Sequence, residues 1–410
     1  MRLLLALFLL APLAACDLAG EDAPQDPTPI ALSPLAKDLV DQGNSFGVAL
    51  FAETAAEDDG NLMLSPLSAS VALTMLMNGA SGDTYDQIHA MLGLAPEADL
   101  DAVNAAYADL REQLLEADPD VQFTLANALF HNSNVTDGFP LEAPFLAALR
   151  GPFEARVDGL DFFAPEALRT INGWAADQTN DRVETVLSEL DPDLVLLLMN
   201  ALYFKGDWST PFKEENTRPA AFTLASGETV QAPTMHGGVQ ALLASGDGYT
   251  ALEMPYGRRN FSMVVLTPEA GSLADFGAAL RGGLWRDATA ALDAQEVFYK
   301  VDVALPRFSF ETDKTLNGTL EALGMTDAFG PRADLSRIQA QLSMVVSFVK
   351  QNTFVEVNEE GTEAAAVTTV GVTATSLGPQ FSADRPFVFA IRERTTNTLL
   401  FIGQVADPTS

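Results

Sequence analysis

The chain reads as an α+β protein with mixed sheets, folded as one large domain. Segments with helical apolar spacing and segments with strand alternation are interspersed, without the regular strand-helix alternation of a parallel α/β fold. About 375 residues follow the only linker-like stretch, and no internal repeat divides them. Length alone would suggest two or three domains, but no second linker of that composition appears downstream.

The N-terminus comes first. Met1-Arg2, the apolar run Leu3 to Leu10 and then Leu13-Ala14-Ala15-Cys16 have the form of a secretory signal over residues 1–15. The run is too short to remain as a membrane-spanning helix. Leu-Ala-Ala-Cys is similar to a bacterial lipobox, which would make Cys16 the lipidated first residue of the mature chain. An ordinary signal peptide cut nearby, with Cys16 incidental, is the other reading. Cys16 is the only cysteine, so no disulfide forms within the chain. Residues 16–34 are rich in Asp, Glu, Pro and Ala and are expected to form a flexible tether behind the lipid. That leaves 35–408 as the folded domain.

Leu39, Val40, Phe46, Leu50 and Phe51 predict a first helix between Leu35 and Ala55. Ser65 as cap and Pro66 in the first helical position open a second, with Leu67, Val71, Ala72, Met75 and Leu76 at helical spacing. Further helices are expected over Leu100–Leu115, Leu141–Leu146 and Pro165–Thr179. Strands are expected through Phe123–Phe130, Leu194–Phe204, Phe261–Leu266 and Val301–Phe310.

The stretch from Phe354 to Phe387 contradicts itself. Phe354, Val355 and Val357 alternate with polar residues as a half-buried strand does, and small and β-branched residues continue from Gly361 to Leu377. Read as a strand, Thr362, Ala364, Ala366, Thr368, Val370, Val372 and Ala374 share one uncharged face. Glu363, Thr369, Gly371, Thr373 and Thr375 share the other. Yet Gly361, Gly371 and Gly378-Pro379 are loop signals, and small side chains anchor a segment poorly. The segment is written for two states.

EEGTEAAAVT followed by ADRPFVFAI resembles the hinge and distal end of the reactive-centre loop of serpins. Similar stretches recur in the family's order: NLMLSPLSASVALTMLMNGASGDTYDQI, NALYFKGDWSTPF, EMPYGRRNFSMVVLTPE, PRFSFETDKTLNGTLEALGMTDAFGPRADLS and the C-terminal PFVFAIRERTTNTLLFIGQVADP. The resemblance implies a serpin fold with three β-sheets, about eight or nine helices and an exposed reactive-centre loop at about 360–379. It implies an inhibitor of serine proteases whose loop, once cut, enters the main sheet as a new strand; serpin loop insertion is a known case of strand addition. A non-inhibitory serpin that binds or carries something is the alternative. The hinge carried over is Glu359, Gly361, Thr362, Glu363, Ala364, Ala365 and Ala366, and the small residues favour inhibition on steric grounds. Trp208 is expected where the loop enters the sheet and Arg307 as the partner of Glu359. Ser65, Ser68 and Asn200 match positions beneath the central strands, and Gln351 stands where many serpins have a histidine. That departure keeps a donor and an acceptor but removes a titratable charge. Counting the family's loop length from both ends assigns the reactive bond to Thr375-Ser376, with cleavage after Val372, Ala374 or Leu377 as alternatives. Small uncharged residues there suit an elastase-like or subtilisin-like protease, whereas no Lys or Arg lies between Glu363 and Asp384 for a trypsin-like one.

The net charge of −33, from 56 acidic and 23 basic residues, argues against nucleic acid and against a heparin-type polyanionic activator. Where animal serpins often carry a basic helix, Asp99 to Asp120 holds only Arg111. His89, His131 and His236 accompany no HExxH, GxSxG or P-loop, so neither catalysis nor a metal or other cofactor is expected. The expected particle is an exported monomer held at a bacterial cell envelope.

Overall fold

The computed structural model describes residues 27–295, 297–362 and 378–410. Among them are nine α-helices of six residues or more, interspersed with strands. The main sheet has six strands in the order Phe308–Thr315, Lys350–Val357, Gly361–Thr362, Leu196–Asp207, Val121–Asn132 and Arg156–Leu160. A nine-stranded network forms the rest, and the 18-residue strand Thr229–Gly246 divides it into two sheets. Up to Ala241 that strand pairs with Tyr299–Pro306, and from Leu242 onward with Tyr249–Pro255.

Helix starts follow the caps written in the sequence. Ser65 accepts a hydrogen bond from the Ser68 amide, and Pro66, which has no amide proton to satisfy, begins the helix Pro66–Met77. This helix is buried on nearly every side beneath the main sheet, as an almost wholly apolar helix must be. Ser33 and Asp99 cap Pro34–Ala55 and Leu100–Leu115 in the same way. On the sheet's other face, Ile171 and Trp174 of the helix Pro165–Gln178 pack on Ala128, Phe130, Leu197 and Ala201.

Four expectations need correcting. The helix placed at Leu141–Leu146 runs over Ala143–Arg150, because Pro144 belongs to the first turn of a helix rather than its middle. The strand placed at Val301–Phe310 is two strands of different sheets, broken at Pro306-Arg307. There the chain leaves its pairing with Thr234, and Phe308 begins the main sheet opposite Val357. In Lys350–Val357 the buried face is Gln351, Thr353, Val355 and Val357; Phe354 lies on the other face, beneath the guanidinium of Arg182. Finally, the tether does not extend to residue 34. The Asn260 side chain grips the Thr28 backbone at both its amide (2.9 Å) and its carbonyl (2.7 Å), the Ile30 amide bonds Thr395 Oγ1 at 3.0 Å, and Leu32 is buried.

Candidate functional site

The residues around the loop base converge at the top of the main sheet. The hinge strand Lys350–Val357 ends in a turn in which the Asn358 side chain accepts from the amides of Glu360 (3.0 Å) and Gly361 (3.3 Å). The chain then doubles back, so that Thr362 pairs with Val357 on one side and Gly206 on the other. Gly361 is required there, since a Cβ would sit 2.1 Å from the Gly206 carbonyl oxygen.

Trp208 follows directly on the Leu196–Asp207 strand and holds this turn. Its indole Nε1 donates to the Asn358 carbonyl at 3.0 Å, and its amide donates to the Glu360 carbonyl at 2.7 Å. Its ring stacks on Tyr256, 4.4 Å between centroids and nearly parallel. The Tyr256 hydroxyl meets the Thr362 hydroxyl at 2.6 Å, both buried. Burial pushes the Tyr256 hydroxyl far above the ordinary tyrosine range despite the Thr362 hydrogen bond, so it stays protonated. Glu359 is buried, and Arg307 Nε donates to its Oε1 at 2.7 Å; a second guanidinium nitrogen and the Thr217 hydroxyl reach the same oxygen. Arg307 is positioned by the strand break already noted. Glu360 beside it has its carboxyl pushed up, by partial burial first and then by Asp207, Glu214 and Glu359.

Lower down, Gln351 clamps the backbone of Ser65 with both ends of its amide, accepting from the Ser65 amide at 3.1 Å and donating to its carbonyl at 2.8 Å. The Ser65 hydroxyl donates to the Leu400 carbonyl at 2.9 Å, and Ser68 lines the adjoining space. Asn200 lies across from Gln351 and donates to Asn127 Oδ1 at 2.7 Å.

Gly361–Thr362 is the only bridge between the hinge strand and Leu196–Asp207 among the described residues, since below it those two strands share no register. The sheet therefore has a slot. Its cavity is lined by Leu197 to Leu202 on one side and Phe348 to Asn352 on the other, over Ser68 and Ala72. A strand inserted there would find unpaired backbone on both flanks.

The histidines are scattered. His131 Nδ1 lies 2.8 Å from Thr136 Oγ1, and burial followed by Arg150 pushes its pKa down; burial and then Arg218 do the same at His236, while the His89 ring rests against Tyr85. Cys16, Glu363, Ala364, Ala365, Ala366, Thr375 and Ser376 lie outside the described residues.

The family model described as serpin (serine protease inhibitor) matches residues 41–408. This chain is a member of the serpin family. It is 34% identical over 374 residues to iripin-3 of Ixodes ricinus, covering 88% of this chain and 93% of that one. It is 34% identical over 373 residues to human neuroserpin, covering 86% and 88%. Among solved structures, the native thermophilic serpin tengpin superposes with a TM-score of 0.82 at 28% identity, covering 93% of this chain and 97% of that one. Thyroxine-binding globulin in complex with thyroxine superposes at 0.81 and 28%, covering 91% and 100%. The three sheets and, among the described residues, nine helices of six residues or more are those of the serpin fold.

In this serpin the loop base is not wholly exposed: Gly361 and Thr362 are buried in the main sheet. The expectation of exposure from residue 360 onward is corrected to that extent. Sequence reasoning missed Tyr256, Thr217 and Asn358. Tyr256 lay inside the quoted EMPYGRRNF stretch, but nothing local to it points to a partner 106 residues away.

Proposed function

We propose that this serpin is an inhibitor of serine proteases that acts as a suicide substrate. The target attacks the Thr375-Ser376 bond, the acyl bond forms on Thr375, and the loop enters the main sheet before water releases the protease. The observation that carries this reading is the hinge poised at the mouth of the slot, with Thr362 already paired to both flanking strands. Steric fit supports it further, since Ala364, Ala365 and Ala366 can follow Thr362 between those strands without clashing. The small uncharged residues Val372 to Leu377 favour an elastase-like or subtilisin-like target. A monomer held to an envelope membrane by a lipid on Cys16 fits the Leu-Ala-Ala-Cys motif, and the acidity of the chain speaks against nucleic acid and heparin-type activators.

The likeness to thyroxine-binding globulin keeps a carrier role as the second reading. The two separate in one experiment. Incubation with elastase-like, subtilisin-like and trypsin-like proteases should yield a denaturant-resistant adduct with at least one of the first two. Cleavage of the loop by the elastase-like or subtilisin-like enzymes with no adduct to either would favour the carrier.

A further inference from the structure

The segment ahead of the first helix is written to be gripped. Pro27-Thr28-Pro29 favours an extended backbone, and between the two prolines only Thr28 keeps an amide proton. Asn260 holds that one residue by its backbone, accepting from the amide with Oδ1 and donating to the carbonyl with Nδ2. Two residues on, the Ile30 amide donates to Thr395 Oγ1. The two gripping residues form one unit around Glu393, which is fully buried. Its Oε1 accepts from Asn260 Nδ2 at 3.3 Å and from the Thr395 hydroxyl at 2.9 Å. A chain stiffened by proline loses little freedom on docking, so these few bonds and the burial of Leu32 suffice to hold it as a strap.

Asn260 lies in the turn between Tyr249–Pro255 and Phe261–Pro268, and that turn is strained. Gly257 and Arg259 both have positive φ, 42° and 75°, and the second is not a glycine. Such a conformation persists only while its surroundings impose it. The Asp207 carbonyl accepts from the Gly257 amide at 2.9 Å, the Asp118 carboxylate accepts from the Arg258 amide at 2.7 Å, and Asn260 is bound to the strap one residue past Arg259. At the start of the turn stands Tyr256, whose carbonyl accepts from the Arg259 amide at 2.7 Å. Its ring carries Trp208 and its hydroxyl meets Thr362. A continuous run of contacts thus joins Thr28 to the loop base through one strained residue.

We propose that the N-terminal strap is a regulatory element: its docking on Asn260 and Thr395 holds the Arg259 turn in its strained form, and so keeps Tyr256 where it pins Trp208 and Thr362. Release of the strap lets Arg259 relax to negative φ, withdraws Tyr256 and loosens the loop base. The turn is the two-state element that both ends bias. Coupling of this kind is reciprocal, so a docked loop base also tightens the strap. It belongs to the intact protein and does not depend on what the loop does once a protease has cut it.

The test is amide hydrogen exchange on the intact, full-length protein, read at Ile30, Trp208 and Thr362. Thr28→Pro keeps the extended backbone, removes the amide that Asn260 accepts and alters no residue of the body. Exchange at Ile30 should rise, and exchange at Trp208 and Thr362 should rise with it by about fivefold or more, the lower end of ordinary coupling between sites. Thr395→Val, which removes the second grip, should move all three amides in the same direction. In a Tyr256→Phe background the hydroxyl contact is already lost, so Thr28→Pro should still free Ile30 but change Thr362 little further. Ser272→Ala removes a helix cap elsewhere at comparable cost and should leave all three amides as in wild type. The proposal is overturned if Thr28→Pro leaves Ile30 protected, or frees Ile30 while Trp208 and Thr362 exchange as before. An undiminished effect on Thr362 in the Tyr256→Phe background, or an equal loosening by Ser272→Ala, would overturn it as well.

Discussion

Replacing Thr362 with arginine should turn the inhibitor into a substrate while leaving attack on the loop intact. Thr362 is 3% exposed, and in the mechanism proposed above it would be the first residue of the loop to enter the sheet. Beneath it Met63, Phe204, Val355, Ile391 and Phe401 line a small cavity, and the one charged side chain among the described lining residues is Arg182, of the same sign as the new group. A guanidinium placed there has no carboxylate to meet, which costs about 4 kcal/mol after relaxation. The intact protein would respond by expelling Gly361 and Thr362 from their pairing with Val357 and Asp207. During inhibition, if about half of that cost falls on the insertion barrier, insertion slows roughly 30-fold. In the mechanism proposed above, trapping depends on insertion outrunning hydrolysis of the acyl bond on Thr375, so the partition would shift toward cleaved serpin and released protease. Titrating a susceptible protease and comparing adduct with cleaved product on a denaturing gel measures that partition. The sequence from Val372 to Leu377 is unchanged, so the rate of first attack should stay near that of wild type. Should Thr362→Arg trap protease as efficiently as wild type, the reasoning fails.

Three further outcomes are expected. Cys16→Ser should move the protein from the membrane to the soluble fraction, and a variant still sedimenting with membranes would refute the anchor. Nicking the loop near Thr375 should raise the melting temperature by tens of degrees, since a new strand gains backbone hydrogen bonds on both flanks and buries its apolar face; equal melting before and after would count against insertion. Because the Glu360 carboxyl is raised above the ordinary 4.5, its ionised form opposes docking of the hinge at neutral pH. That opposition is relieved as pH falls through the raised value, so hydrogen-exchange protection of Gly361 and Thr362 should grow toward acid pH, and Glu360→Gln should flatten the dependence.

Local chemistry made much of the fold legible. Ser65-Pro66 marks a helix start because a cap and a missing amide proton act within three residues, and the helix expected over Leu100–Leu115 is found with those bounds. What escaped depended on distant partners. The grip of Asn260 on Thr28 joins residues 232 apart, and composition alone assigns Thr28 to a tether. The division of Thr229–Gly246 between two sheets is likewise set by its neighbours rather than by its own residues. Glu359, Arg307 and Trp208 at the loop base, and Gln351 lower down, were found through the family resemblance. Tyr256 was not, because a buried tyrosine at the end of an apolar strand looks like core until the hydroxyl opposite it is known.

The docking of Thr28 also sets a working radius. Under the anchoring proposed above, eleven residues, 17–27, separate the lipid from the docked Thr28. Eleven residues span at most about 40 Å. The leash leaves the body at Asn260, in the same hairpin turn as Tyr256. A protease approaching the loop would therefore meet it within a layer scarcely thicker than the inhibitor, so that this serpin would guard a surface and leave the surrounding fluid largely unprotected.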